Sequence, residues 1–270
     1  MSALEVILPG QTVSLLPQSA GLAHGYAVFE TLRYAGGRLE FWEAHWRRLH
    51  RAASKLGINC AIPEERVLGG LRSLAEVLPD EAVVKLSLLK EGEGEARLLV
   101  YSRTPGPVRG SVGLQLKSPF PVNEAAPLIG LKTHNYLENF MVLEAAHAVG
   151  CYDSARVNLR GFLAEGAISN LFFVKDGDWF TPDERHGLLA GVIRGALIGA
   201  LPVEKGDFSP RDLLEADAVF LTNSSVGLLP VDWLRVDGAT RMCSSRSNPA
   251  FSEASDLLEA CREADSIALV

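Results

Sequence analysis

Strand-type and helix-type hydrophobic patterns alternate up to about residue 100, where a breaker-rich segment, Arg103-Thr104-Pro105-Gly106-Pro107, interrupts them. Such alternation demands a layered α/β arrangement, because each strand or helix buries one face and needs a partner layer to cover it. Val28 to Tyr34 reads as a strand, Gly36-Gly37 as a tight turn, and Leu39 to Trp42 as a second short strand. From Glu43 to Leu56 the apolar residues Trp46, Leu49, Ala53 and Leu56 recur at spacings of 3, 4 and 3, which predicts an amphipathic helix stopped by Gly57. A second helix is expected over Glu65 to Val77, then strands over Ala82 to Leu89 and Ala96 to Tyr101, with a polar turn at Glu91 to Glu95.

Beyond the break, Val112, Leu114 and Leu116 alternate as in a strand, and Asn135 to Val149 reads as a helix ended by Gly150. Ala155 to Leu159, Leu171 to Val174 and Asp217 to Thr222 are expected strands, with a hairpin turn at Asp176-Gly177. Val192 to Ala200 and Phe251 to Ala264 are expected helices, Ser209-Pro210 starts another, and the polar stretch Ala239 to Asn248 is expected to be a mobile loop. The expected class is therefore α/β (α+β) in two domains, residues 1–104 and 111–270, joined by a linker at 105–110. A chain of 270 residues, 47% of them apolar and 22% charged, can bury such cores.

Partners are limited by charge. A formal net charge of -7 repels phosphate backbones and anionic lipid, so neither nucleic acid nor membrane is an expected partner. No run reaches the roughly 20 apolar residues of a bilayer span, and the start, MSALEVILPG, has no signal-peptide pattern. Cys60, Cys151, Cys243 and Cys261 are widely spaced, as in a reduced cytoplasmic protein. His24, His45, His50, His134, His147 and His186 show no metal-ligand spacing, and no G-x-S-x-G elbow occurs, so no metal is expected.

Four segments carry possible chemistry. In Ile129-Gly130-Leu131-Lys132-Thr133-His134-Asn135-Tyr136, a lysine follows an apolar stretch and precedes a helix, where desolvation favours its neutral, nucleophilic amine. By position alone it reads first as a surface lysine at a loop. Glu165, in Ala164-Glu165-Gly166, is a carboxylate beside small residues before an apolar strand, able to face a ring nitrogen or simply solvated at a turn. Leu189-Ala190-Gly191-Val192-Ile193-Arg194 opens a helix with free N–H donors, an anion site in principle. Thr222-Asn223-Ser224-Ser225 clusters hydroxyls and an amide at a strand end, fit for phosphate oxygens or for capping a turn.

In this order and spacing, from about His24 to Pro230, these segments resemble the class IV pyridoxal-phosphate aminotransferase superfamily: branched-chain aminotransferases, D-amino-acid transaminases and aminodeoxychorismate lyases. The resemblance implies a two-domain fold of type IV, with a small N-terminal α/β domain and a larger C-terminal domain built on a β-barrel-like sheet with flanking helices. It implies pyridoxal 5'-phosphate as cofactor, with Lys132 as the Schiff-base lysine and Glu165 pairing with the pyridine nitrogen. Arg48, in His45-Trp46-Arg47-Arg48-Leu49, matches the arginine that clamps the cofactor phosphate, although its spacing to Arg51 and Lys55 also fits a solvated basic face. Val192 and Ile193 would add backbone donors to the phosphate, Ser224 and Ser225 would close the cup, and Tyr136, Ser169 and Asn170 would lie at the cofactor. His24, Phe29 and Lys90 fall at substrate-facing positions, and a homodimer acting on a small molecule is implied.

Two departures bear on the reaction. Tyr26-Ala27 stands where the family commonly has Asp-Gly, and Lys90-Glu91 where many members have Arg-Gly. Lysine keeps the charge but lacks the bidentate fork that grips an α-carboxylate. Together with the Thr222 to Gly227 stretch, this favours 4-amino-4-deoxychorismate lyase over a D- or branched-chain amino-acid aminotransferase; a non-catalytic protein of the same fold is the remaining reading.

Overall fold

In strand β2 (Ala27–Ala35), Val28, Leu32 and Tyr34 point to one face and are almost fully buried. They pack with Val84, Leu86 and Leu88 of β4 (Glu81–Gly92) and with Leu98 and Val100 of β5 (Glu95–Arg103). Helix α2 (Trp42–Lys55) covers them with Trp46, Leu49, Ala52 and Ala53, and α3 (Glu64–Ala75) with Val67, Leu71 and Leu74. Removing each of these large side chains from water contributes on the order of 2 kcal/mol, so this layered core anchors everything mounted on β2.

The structure is a computed structural model that describes residues 2–92, 95–106 and 110–270. Of the expected linker at 105–110, residues 107–109 lie outside the described residues, as do 93–94 of the expected turn at Glu91 to Glu95. The chain divides into two compact units: Met1–Pro107 with Leu131–Asn135 and Arg262–Val270, and Val108–Gly130 with Tyr136–Cys261.

The first unit holds a six-stranded sheet, ordered β1 (Ala3–Val6), β5, β4, β2, β3 (Arg38–Leu39) and the C-terminal strand Ile267–Ala268. The lysine segment groups here rather than with the C-terminal half of the sequence. Its backbone runs along the start of β2, where Phe29 N–H donates to Lys132 O and His134 N–H donates to Ala27 O. A helix that a strand reading of Leu39 to Trp42 did not foresee begins at Trp42, after Phe41 takes a left-handed φ of 53°.

The second unit holds a five-stranded sheet ordered β10-β9-β8-β11-β12 and a four-stranded sheet ordered β14-β13-β6-β7. Their ranges are β6 (Gly113–Gln115), β7 (Asp153–Ser154), β8 (Asn170–Lys175), β9 (Asp178–Pro182), β10 (Val203–Gly206), β11 (Ala218–Asn223), β12 (Gly227–Pro230), β13 (Trp233–Val236) and β14 (Ala239–Met242). Both sheets contribute to one apolar core, among it Val112, Leu114, Leu171, Phe173, Val219, Leu221 and Leu234. Helices α4 (Leu137–Ala148), α5 (Val192–Ala200), α6 (Pro210–Glu215) and Pro249–Asp265 follow the sequence patterns closely. At α6, Ser209 N–H donates to the Asp212 carboxylate, as its capping signal predicts.

Two expectations fail in this unit. The strand expected at Ala155 to Leu159 is instead the two-residue β7, followed by single bridges at Val157 and Asn158. Its ladder to β6 stops after Ser154, and the Asp153 side chain binds other backbone groups instead. The expected loop over Ala239 to Asn248 begins with a strand: Asp237-Gly238, with φ of 45° and 86°, turns β13 back into β14.

Candidate active site

The face of the first sheet opposite its helices gathers two lysines and a histidine around Phe29. Register places Phe29 opposite Ser87, Thr31 opposite Lys85, and Lys85 opposite Tyr101, all pointing away from α2 and α3. Phe29 is buried, and two ammonium groups lie over its ring: Lys132 Nζ at 4.5 Å from the centroid and Lys85 Nζ at 4.0 Å. The His134 ring meets the Phe29 ring edge-on at 5.5 Å, and its Nε2 lies 3.2 Å from Ser87 Oγ. Burial, then the nearby Arg103 charge, pushes the Lys85 ammonium down to about 8, against the pull of Glu30. Lys85 was not foreseen. Its signal was present: Lys85 and Ser87 alternate with Val84, Leu86 and Leu88, marking a polar face on an otherwise apolar strand.

Behind Phe29, on the helix side, Glu30 is 1% exposed. Arg48 grips it with Nε on Oε1 and Nη2 on Oε2, both at 2.7 Å, and His45 Nδ1 lies 2.7 Å from Oε2. Burial alone raises the Glu30 pKa, but the charge and hydrogen bonds of Arg48, with His45, hold it at about 2. Burial lowers the His45 pKa despite Glu30, so the neutral imidazole donates its Nδ1–H. The basic-face reading of Arg48 therefore fails: its side chain is 14% exposed and ion-paired, while Arg51 and Lys55 are exposed.

Of the substrate-facing positions, Phe29 sits beside Lys132, as described. His24 is exposed at the end of the short helix Ala20–Ala23. Lys90 Nζ stacks over the Tyr26 ring at 4.5 Å, and the neighbouring Glu91 pairs with Arg97 at 3.3 Å.

In the second unit, the Glu165 carboxylate accepts Leu189 N–H at 2.8 Å. The turn that carries it is tied to Asp153, a fully buried carboxylate that accepts Ala167 N–H, Ile168 N–H and Ser169 Oγ–H. Burial raises the Asp153 pKa, and these donors, Ser169 first, oppose the rise. Gly166 fits because a Cβ there would lie 2.4 Å from Asp153 Oδ2. Tyr136 Oη and Asn139 Nδ2 donate to Ala167 O at 3.2 and 2.7 Å, so Tyr136 also fastens this turn. Ser169 is engaged with Asp153, and Asn170 Nδ2 donates to Leu189 O at 2.8 Å, so both hold the loops that flank Glu165.

The same loop ends at Gly191, which opens α5 without a capping side chain. The first N–H groups of any helix lack intrahelical acceptors, so those of Val192 and Ile193 are donors that an anion can meet. Alanine at 191 would put its Cβ 2.1 Å from Asn170 Oδ1. α5 packs against β11, where the buried Thr222 hydroxyl has no hydrogen-bond partner. Beyond it, Asn223 Oδ1 accepts Ser225 N–H and Val226 N–H, so Ser225 can offer a ligand its hydroxyl but not its amide.

These groups fit pyridoxal phosphate by their chemistry. An uncapped helix start and an orphaned buried hydroxyl suit a phosphate, a fixed carboxylate suits a pyridinium nitrogen, and a half-buried lysine on an aromatic ring suits an aldehyde carbon.

A family model described as amino-transferase class IV matches residues 27–233. A probable branched-chain-amino-acid aminotransferase of Thermotoga maritima is 30% identical over 212 residues, 76% of this chain and 76% of that protein. An aminodeoxychorismate lyase of Vibrio harveyi is 28% identical over 232 residues, 77% of this chain and 83% of the relative. Among solved structures, the 4-amino-4-deoxychorismate lyase of Pseudomonas aeruginosa matches with a TM-score of 0.79 and 26% identity, over 93% of this chain and 96% of that one. The expected fold holds: a mixed α/β chain with a curled half-barrel sheet and flanking helices, as in fold-type IV enzymes.

Proposed function

We infer that this chain, which belongs to the class IV amino-transferase family, is a lyase that converts 4-amino-4-deoxychorismate to 4-aminobenzoate and pyruvate. Pyridoxal phosphate is the family's cofactor. Lys132 is the proposed attachment point, Glu165 the partner of its ring nitrogen, and Arg48, Val192, Ile193, Thr222, Ser224 and Ser225 the ligands of its phosphate.

The observation that carries the choice of reaction is the ammonium of Lys85 beside Lys132 on the Phe29 ring. A transaminase must grip a carboxylate on the carbon that also bears the reacting amine, a task suited to an arginine fork. In aminodeoxychorismate the carboxylates sit on ring and enol-ether positions away from the amine, where a compact ammonium serves. Lys85 supplies that charge beside the cofactor lysine, and Lys90-Glu91 supplies no fork at the strand end. Likeness to the Vibrio and Pseudomonas lyases supports the same reading.

When bound, the cofactor supplies an electron sink conjugated to the carbon bearing the substrate amine. The amine of Lys132 takes the proton from that carbon, and Glu165 keeps the pyridine nitrogen protonated so that the sink stays open. Phe29 lies against Lys132 and fixes where its Nζ sits. The ring C–O bond would then break with its electrons leaving on the ether oxygen, the enolpyruvate released would take up the proton held by Lys132 to become pyruvate, and the ring would be left aromatic. The reading places the enzyme in the cytoplasm as a homodimer that supplies 4-aminobenzoate for folate; among the described residues no helix is long and apolar enough to cross a membrane.

Incubation with aminodeoxychorismate should yield 4-aminobenzoate and pyruvate in equal amounts. Amino transfer from leucine to 2-oxoglutarate, with no 4-aminobenzoate formed, would overturn the lyase in favour of the activity named for the Thermotoga relative; transfer from D-alanine instead would overturn it in favour of a D-amino-acid aminotransferase.

A further inference from the structure

Glu30 lies among Val28, Leu32 and Tyr34 on the buried face of its strand, 1% exposed, yet it is ionised and holds both the Nε and one Nη of Arg48. Burying an isolated carboxylate is strongly unfavourable, so Glu30 persists there as half of a hydrogen-bonded ion pair. We propose that Glu30 is a positioning residue for cofactor binding: it fixes the plane of Arg48 so that the guanidinium edge turned from Glu30 meets the cofactor phosphate. The inference rests on the proposed role of Arg48.

Three observations support it. The contact is fork to fork, and two parallel bonds at 2.7 Å fix rotation of the guanidinium, which a single contact leaves open. Glu30 is itself held: His45 Nδ1 lies 2.7 Å from the same oxygen that meets Arg48 Nη2, and His45 and Arg48 lie on one face of α2, three residues apart. Glu30 also directly follows Phe29, whose backbone binds Lys132 O and whose ring carries Lys132 Nζ. One strand thus sets the register of the lysine segment and of the arginine together.

The pairing has a chemical consequence. With Glu30 ionised and His45 neutral, the cluster's net charge is near zero. Arg48 then recognises a phosphate through directed N–H donors more than through bulk positive charge. Affinity gained in this way depends on orientation, and orientation is what Glu30 supplies.

The test compares pyridoxal phosphate with pyridoxal, which lacks the phosphate, by titrating each into cofactor-free enzyme and following the visible band of the lysine-bound form. Wild type should prefer the phosphorylated form strongly, and Arg48→Gln should lose most of that preference. Glu30→Gln should weaken binding of pyridoxal phosphate on the order of ten- to hundredfold, the scale for partners that orient a ligand, and leave pyridoxal binding unchanged. The double variant should be no worse than Arg48→Gln alone, because the two residues act as one. Should Glu30→Gln fail to fold, Glu30→Asp carries the same test: its shorter carboxylate cannot span both nitrogens, and the preference should fall. If Arg48→Gln keeps the wild-type preference, Arg48 is no phosphate ligand and both ideas fall. If Arg48→Gln loses it while folded Glu30→Gln or Glu30→Asp keeps it, or if Glu30→Gln weakens both ligands equally, only the positioning role is overturned.

Discussion

The two units build their functional groups by different means. In the first, charged side chains do the work: Glu30, Arg48, Lys85 and Lys132 are packed against apolar strands and an aromatic ring, each near an opposing or screening partner. In the second, the proposed site joins the Glu165 carboxylate and the Thr222 and Ser225 hydroxyls to the backbone N–H groups of a bare helix start, while side chains such as Asp153, Asn170 and Tyr136 hold loops in shape. The first design is sensitive to charge and pH; the second is sensitive to the volume of a single methyl group.

The largest effect should come from Lys132→Ala, which should abolish turnover and the visible band of bound cofactor; turnover near that of wild type would remove the lysine from the chemistry. Next is Glu165→Ala, which should retain the cofactor while slowing the reaction on the order of hundredfold, the scale for loss of one preorganised electrostatic partner. Equal rates in stopped-flow measurements would show that the carboxylate fixed by Leu189 N–H has no part in it. Gly191→Ala tests the volume argument. With Asn170 Oδ1 at 2.1 Å from the new Cβ, it should cost about 1–3 kcal/mol in chemical denaturation and weaken phosphate-dependent binding.

Acid distinguishes the first unit. The Glu30 pKa is depressed from 4.5 to about 2, so its stabilisation is complete above the unfolded value and is lost as pH falls from about 4.5 towards 2. The stability difference between wild type and Glu30→Gln should shrink over that range, and a constant difference would contradict the buried ion pair. The smallest effect belongs to Thr222→Val. Removing an orphaned hydroxyl should leave or slightly raise the stability of the cofactor-free protein, while costing about 1 kcal/mol in cofactor affinity if the hydroxyl meets the phosphate. Unchanged affinity would place Thr222 outside the phosphate site.

The same contrast explains what was legible in the sequence. Lys132, Glu165 and Gly191 stand in local motifs, and their surroundings in the chain are enough to single them out. Helix α5 was readable to the residue because a glycine marks its start. The pairing of Glu30 with Arg48 was not, since 18 positions separate them and Glu30 stands next to Thr31 and close to Arg33, so that it reads as one more polar residue of the strand. Asp153 was missed for a similar reason: its partners, two backbone N–H groups and the Ser169 hydroxyl, lie 14 to 16 residues away and leave no local pattern. The strand expected at Ala155 to Leu159 failed because apolar alternation there reflects packing beside an irregular, side-chain-bound backbone. By contrast, β14 was missed although Asp237-Gly238 offered a clear hairpin signal between Val236 and Ala239.

Two lysines share the Phe29 ring, and only one is assigned the cofactor. Borohydride reduction of the cofactor-loaded enzyme, followed by peptide mass mapping, decides between them. The cofactor mass should appear on the peptide containing Lys132 and on no other; its appearance on Lys85, or on no lysine at all, would contradict the assignment of Lys132 as the cofactor lysine.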